Sequence, residues 1–166
     1  DNMEEKLEDK LMNKKQNGWE TVNDEEKEKI FKFSEEYMSF LNSAKTEREF
    51  IKMARKLADS NGFKDIMEFS TLKPGDKIYF VNREKSMYLG IIGEENIENG
   101  LHIIGSHVDS PRLDLKPNPL YEDTGLAYFK THYYGGIKKY QWTTIPLSIH
   151  GVIVKSSGEK IEVNIG

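Results

Sequence analysis

The chain has 166 residues, 37% hydrophobic and 31% charged, enough for one domain with its own core or a large piece of a bigger one. Its formal net charge of -4 leaves no surplus of Lys and Arg to neutralise phosphates, which argues against nucleic acid as a partner. There is no cysteine for disulfides or thiolate metal sites, and no apolar run nears the roughly 18 residues that span a bilayer, so a soluble, cytoplasmic protein is expected.

Residues 1–17 read as a charged arm. Leu7 and Leu11 give it at most a thin apolar stripe, and both an exposed helix and a disordered segment fit. Gly18 ends the arm, and Trp19 is the first residue expected to anchor in a core. Asn23 followed by Glu26 has the pattern of a capping box. Ile30, Phe31, Phe33, Tyr37, Met38, Phe40 and Leu41 then recur at helical spacing, which predicts an amphipathic helix over 24–42 with its aromatic stripe packed in a core. Thr46 and Glu49 repeat the cap before a second helix, where Phe50, Met53, Ala54, Leu57 and Ala58 share a face and Asn61-Gly62 forms the stop.

From there the period becomes strand-like. Lys73-Pro74-Gly75-Asp76 suits a type II turn. Strands over 77–82 and 87–93 make a hairpin around Arg83–Ser86. Leu101-His102-Ile103-Ile104 reads as a buried strand, with His102 packed in the core. The prolines at 117 and 119 favour an extended stretch with little regular pairing. Tyr121–Gly125 is a turn, 126–134 a strand and 137–142 a basic-aromatic loop. Strands over 145–154 and 160–165 close the chain. The fold class is α/β: N-terminal helices followed by a mixed β-sheet.

The chemistry concentrates at Gly105-Ser106-His107-Val108-Asp109-Ser110-Pro111. A hydrolytic zinc site needs neutral imidazole and carboxylate ligands, and a ligating imidazole gives its other ring N–H to a carboxylate or carbonyl. In extended backbone residues two apart point the same way. His107 is therefore the candidate metal ligand, and Asp109 its orienting partner or a neighbouring support. Gly105 would let the backbone approach the metal, and Pro111 would stiffen the exit. The plainer alternative is a surface loop in which Asp109 caps a turn and His107 is an ordinary histidine. His132 and His150 lie in strands and read as structural, and Asp114, Glu122 and Asp123 as turn-forming or solvated.

GSHVDSPRLDLKPNPLYED, with THYYGGIKKYQWTTIPLSIHGVIV downstream and WETVNDEEKEKIFKFSEEYMSFLNSAKTEREF upstream, resembles the aspartyl aminopeptidase and vacuolar aminopeptidase I family of zinc exopeptidases, in its bacterial branch. The resemblance implies a zinc-dependent aminopeptidase that releases single N-terminal residues from peptides by metal-activated water. On the family's motif His107 matches a zinc ligand, and Asp109 matches the catalytic carboxylate that supports it. Two zinc ions are implied, with the remaining ligands from later in the family's chain. The resemblance further implies that residues 18–166 are the N-terminal portion of the catalytic domain, ending near an inserted dimerisation domain, in a protein that forms homo-oligomers. A piece with one ligand is expected to be inactive alone. Other branches carry an Asp-Arg pair after the later tryptophan, where Thr143-Thr144-Ile145-Pro146 follows Trp142 here, so a preference for acidic or neutral N-terminal residues stays open.

Two readings from other classes stand beside this one. A non-catalytic binding or assembly module would use the charged arm and the Tyr133–Trp142 loop as contact surfaces. Binding of single-stranded nucleic acid through Lys138, Lys139, Tyr140 and Trp142 would need more basic surface than two lysines supply.

Overall fold

A computed structural model describes residues 11–13 and 15–166. The reading of residues 1–17 as an exposed or disordered arm therefore falls largely outside the described residues. The chain divides into two compact units, residues 1–39 and 40–166.

In the first unit a four-residue helix α1, Gly18–Thr21, is capped by Asn17, whose side chain accepts the Trp19 N–H. Helix α2, Asp24–Asn42, begins on the predicted reciprocal cap: Asn23 Oδ1 accepts the Glu26 N–H at 2.9 Å and Glu26 Oε2 accepts the Asn23 N–H at 2.8 Å. Its aromatic stripe does not form the expected core. Phe31, Phe33, Tyr37 and Met38 are exposed, as is Trp19, which stacks on Phe31 with ring centroids 6.1 Å apart. Helical spacing identifies an apolar face; it carries no information about what covers that face.

The second unit is organised on α3, Glu47–Ser60. Thr46 caps it, and the Glu49 side chain accepts the Thr46 N–H in return. Asn61 closes the helix, with Gly62 beyond it at φ +80°. After α3 come β1 (Lys64–Asp65), a single 3-10 turn (Ile66–Glu68), β2 (Lys77–Asn82) and β3 (Ser86–Ile91). These three strands form one mixed sheet, β1 parallel and β3 antiparallel to β2. The turn into β2 is the predicted type II turn: Gly75 sits at φ +89° and the Asp76 N–H donates to the Lys73 carbonyl.

Strands β4 (Arg112–Asp123) and β5 (Leu126–Tyr134) form a hairpin closed by Thr124-Gly125, both at positive φ. The proline stretch predicted to pair poorly lies inside β4, where the register shifts between Leu115 and Leu120. A one-turn helix α4, Lys139–Trp142, takes part of the expected basic-aromatic loop. Strands β6 (Ile149–Val154) and β7 (Lys160–Ile165) form a further hairpin, β6 starting four residues later than the sequence suggests.

Among the described residues the buried apolar core is small: Ala44, Ile51, Ala58 and Tyr79, the last 2% exposed. Polar bridges from α3 reach several of the strands. Glu47 binds Arg112 at the start of β4, and Arg48 pairs with Glu84 in the β2–β3 turn. Glu49 Oε1 lies 2.8 Å from His150 Nδ1 on β6, Lys52 bridges Glu162 on β7 at 2.8 Å, and Arg55 Nε donates to the Tyr79 hydroxyl of β2 at 3.0 Å. His150 is thus structural, as expected: 13% of its side chain is exposed, and its Nε2 meets the Ser148 hydroxyl. Partial burial opposes the charged form of Glu49. The His150 hydrogen bond and charge and the backbone N–H groups of Lys45 and Thr46 outweigh it and hold the carboxyl below its usual range.

Thr46→Ala removes one half of the α3 cap and leaves the Glu49–His150 bridge in place. It is expected to cost about 1 kcal/mol in denaturant unfolding, the usual worth of an N-cap hydroxyl. An unchanged midpoint would show that the tertiary bridges alone set the helix start.

Candidate metal centre

The segment carrying the candidate site, 101–111, has no regular secondary structure. The buried strand expected over Leu101–Ile104 is not found: Ile103 is 81% and Ile104 99% exposed, and His102 lies on the surface rather than in a core. An apolar run becomes a strand only when a neighbouring edge takes its backbone N–H and C=O groups. No such edge pairs with it among the described residues. Gly105 is not required by a close approach here either, since a Cβ at that position would meet nothing within 4 Å.

His107 and Asp109 do face each other. Nδ1 of His107 lies 2.9 Å from the Asp109 carbonyl oxygen and 3.2 Å from its Oδ1. Both partners are acceptors, so Nδ1 carries a hydrogen, and in the neutral ring the lone pair is on Nε2. Nε2 has no hydrogen bond among the described residues, and the side chain is 83% exposed. A ligating imidazole presents itself in this way, one nitrogen tied to oxygen and the other bare.

Behind the pair stands the hairpin. The Tyr134 hydroxyl, at the end of β5, donates to Asp109 Oδ2 at 2.8 Å. That bond, with help from backbone and from His107, holds the Asp109 carboxyl below the usual carboxylate range, and the same bond pushes the Tyr134 phenol up. Tyr134 pairs in register with Arg112, whose guanidinium lies 4.1 Å from the ring centroid. Arg112 is fixed by two carboxylates, Glu47 at 2.9 Å and Asp114 at 2.7 Å. Desolvation works against its charge, but the two carboxylates outweigh it and hold the guanidinium above its ordinary range. Gly135 sits at φ +76°, and a Cβ added there would meet Pro111 at 3.5 Å. Sequence reasoning missed Glu47, Arg112 and Tyr134 and treated Asp114 as a solvated turn residue. The one available signal was that Tyr134 directly precedes the Gly135-Gly136 break.

The donor set fits zinc in kind and falls short in number. One neutral imidazole, held by a carboxylate, is what a zinc ligand requires. No group of three or more His, Cys, Asp or Glu side chains able to hold a metal occurs among the described residues. His132 and His150 are not brought to His107: His132 stacks on Tyr133, and His150 binds Glu49. No helix among the described residues is long and apolar enough to cross a membrane.

An imidazole oriented by a carboxylate is the arrangement of a metal ligand in general, and similarity to known proteins narrows the class to metallopeptidases. Residues 40–166 match the family described as Aminopeptidase I zinc metalloprotease (M18), and the chain belongs to it. The probable M18 family aminopeptidase 1 of Borrelia garinii subsp. bavariensis is 54% identical over 153 residues, covering 92% of this chain and 33% of that protein. Among solved structures, aminopeptidase I from Borrelia burgdorferi B31 superposes with a TM-score of 0.87 at 52% identity, over 91% of this chain and 37% of that one. The M18 aminopeptidase from Thermotoga maritima gives 0.84 at 44% identity, over 93% and 33%. The chain spans about a third of the length of the curated relatives it matches.

Proposed function

We propose that these residues form the N-terminal part of a zinc aminopeptidase that releases single residues from peptide N-termini, with His107 as a zinc ligand and Asp109 as the carboxylate that orients it. The observation that carries the reading is the His107 ring: Nδ1 committed to two oxygens of Asp109, Nε2 free of any described partner. Family membership supports zinc as the metal. When bound, the metal would polarise the scissile carbonyl and lower the pKa of water. What this chain contributes is one oriented donor and the frame that holds it. The second ion and the remaining ligands would come from polypeptide outside these residues, since the described ones offer no further cluster. A cytoplasmic setting and self-association into a homo-oligomer belong to the same proposal.

The scarcity of ligands favours a narrower statement about the 166 residues alone: they act as a module of the site and do not hydrolyse peptides by themselves. One experiment addresses both points. The full-length protein is expected to cleave aminoacyl p-nitroanilides, to lose this activity on dialysis against a strong chelator, and to regain it with zinc, whereas N-acetylated substrates stay intact. A panel of acidic and neutral aminoacyl groups would assign the preference left open by Thr143-Thr144. Undiminished cleavage after complete metal removal would overturn the reading. Two tightly held zinc ions in the isolated 166 residues would overturn the module statement.

A further inference from the structure

The loop that carries His107 has no regular secondary structure of its own. Residues 101–111 make no ladder hydrogen bonds, and His107 is largely exposed. On such a loop an aspartate would sample several staggered rotamers, and only some bring its oxygen to the imidazole. Something outside the loop has to select one.

We propose that Tyr134 is a positioning residue for the metal centre: its hydroxyl fixes the Asp109 carboxylate so that Asp109 keeps the His107 ring in the orientation and tautomer a metal ligand needs. The inference rests on the reading of His107 as a ligand. The geometry divides the labour between the two carboxylate oxygens. Oδ2 takes the Tyr134 hydroxyl hydrogen at 2.8 Å, which leaves Oδ1 to share the Nδ1 hydrogen of His107 with the Asp109 carbonyl.

Tyr134 is itself held, which a chance surface contact would not require. It ends a nine-residue strand paired with β4. Its ring faces the Arg112 guanidinium, and Arg112 is tied on one side to its own strand through Asp114 and on the other to α3 through Glu47. Arg112 also sits three residues after Asp109, so the hairpin holds the loop by its backbone exit as well as by a side chain. At the same corner a Cβ added to Gly135 would meet Pro111 at 3.5 Å, so the turn after β5 lies beside the end of the loop. The bare loop thus borrows its order from the end of a regular hairpin, as precise ligand placement demands.

Tyr134→Phe keeps the ring and its stacking on Arg112 and deletes only the hydroxyl. In the full-length protein its zinc dissociation constant, measured by competition with a chelator, is expected to rise about tenfold, the lower end of what outer partners of metal ligands contribute. In the metal-free protein, imidazole nitrogen shifts should report His107 mainly as the Nδ1–H tautomer in the parent and shifted toward Nε2–H in the variant. A hydroxyl that merely stabilised the fold would alter the unfolding midpoint and leave both readouts alone, and that result would overturn the inference. His107→Ala serves as the reference. If it loses zinc while Tyr134→Phe matches the parent in affinity and tautomer, the positioning role fails and the ligand assignment stands. If His107→Ala keeps its zinc, the ligand assignment fails and the inference goes with it.

Discussion

His107→Ala in the full-length protein is expected to lower peptidase turnover by roughly a thousandfold or more, because water is a poor nucleophile at neutral pH without the metal that acidifies it. The expectation follows from the bare Nε2. Removing the ring takes away the one imidazole that the described residues present with its second nitrogen already satisfied. The backbone should tolerate the change well, since the side chain is 83% exposed and supports no core. A folded protein with depleted zinc and little activity is therefore the anticipated phenotype, read by elemental analysis beside steady-state kinetics. Normal zinc content with normal turnover would remove His107 from the site altogether.

Asp109→Asn is the next largest. The amide has the shape of the carboxylate and can still meet the Tyr134 hydroxyl, so the change isolates charge. A neutral acceptor is a weaker partner for Nδ1–H and leaves Nε2 less basic. Metal affinity or activity should fall about 10- to 100-fold, the usual consequence of losing a ligand's carboxylate support. On the proposed reading Asp109 acts through its contact to His107, as a positioning group. A variant with parental zinc affinity and turnover would leave Asp109 as no more than a turn-capping aspartate.

How much of this was legible beforehand depended on the distance over which each feature is encoded. The caps at Asn23–Glu26 and Thr46–Glu49, the Lys73–Asp76 turn and the β2–β3 hairpin are local, and each appears where the residues placed it. The His107–Asp109 contact spans two residues and was equally readable. Leu101–Ile104 failed because a strand is a property of two segments, and the sequence of one does not state whether the other is present. The aromatic stripe of α2 failed for the same reason: its spacing defines a face but not a cover. Tyr134 is 25 residues from Asp109, and Arg112 is 65 from Glu47. Only the folded hairpin makes them neighbours.

Helix α3 has a role that its position in sequence, far from His107, conceals. Successive residues Glu47, Arg48 and Glu49 reach β4, the β2–β3 turn and β6, and the first of them leads through Arg112 and Tyr134 to the His107 loop. Most of these pairs are partly open to water, and each such bridge contributes little alone. Dissolved ions screen the open pairs more than the half-buried ones. Ionic strength therefore acts on several joints of this frame at once, most on the open Arg48–Glu84 and Lys52–Glu162 pairs and least on the Arg55–Tyr79 bond. The site at the end of the Glu47 branch would feel that change without any salt ion approaching it.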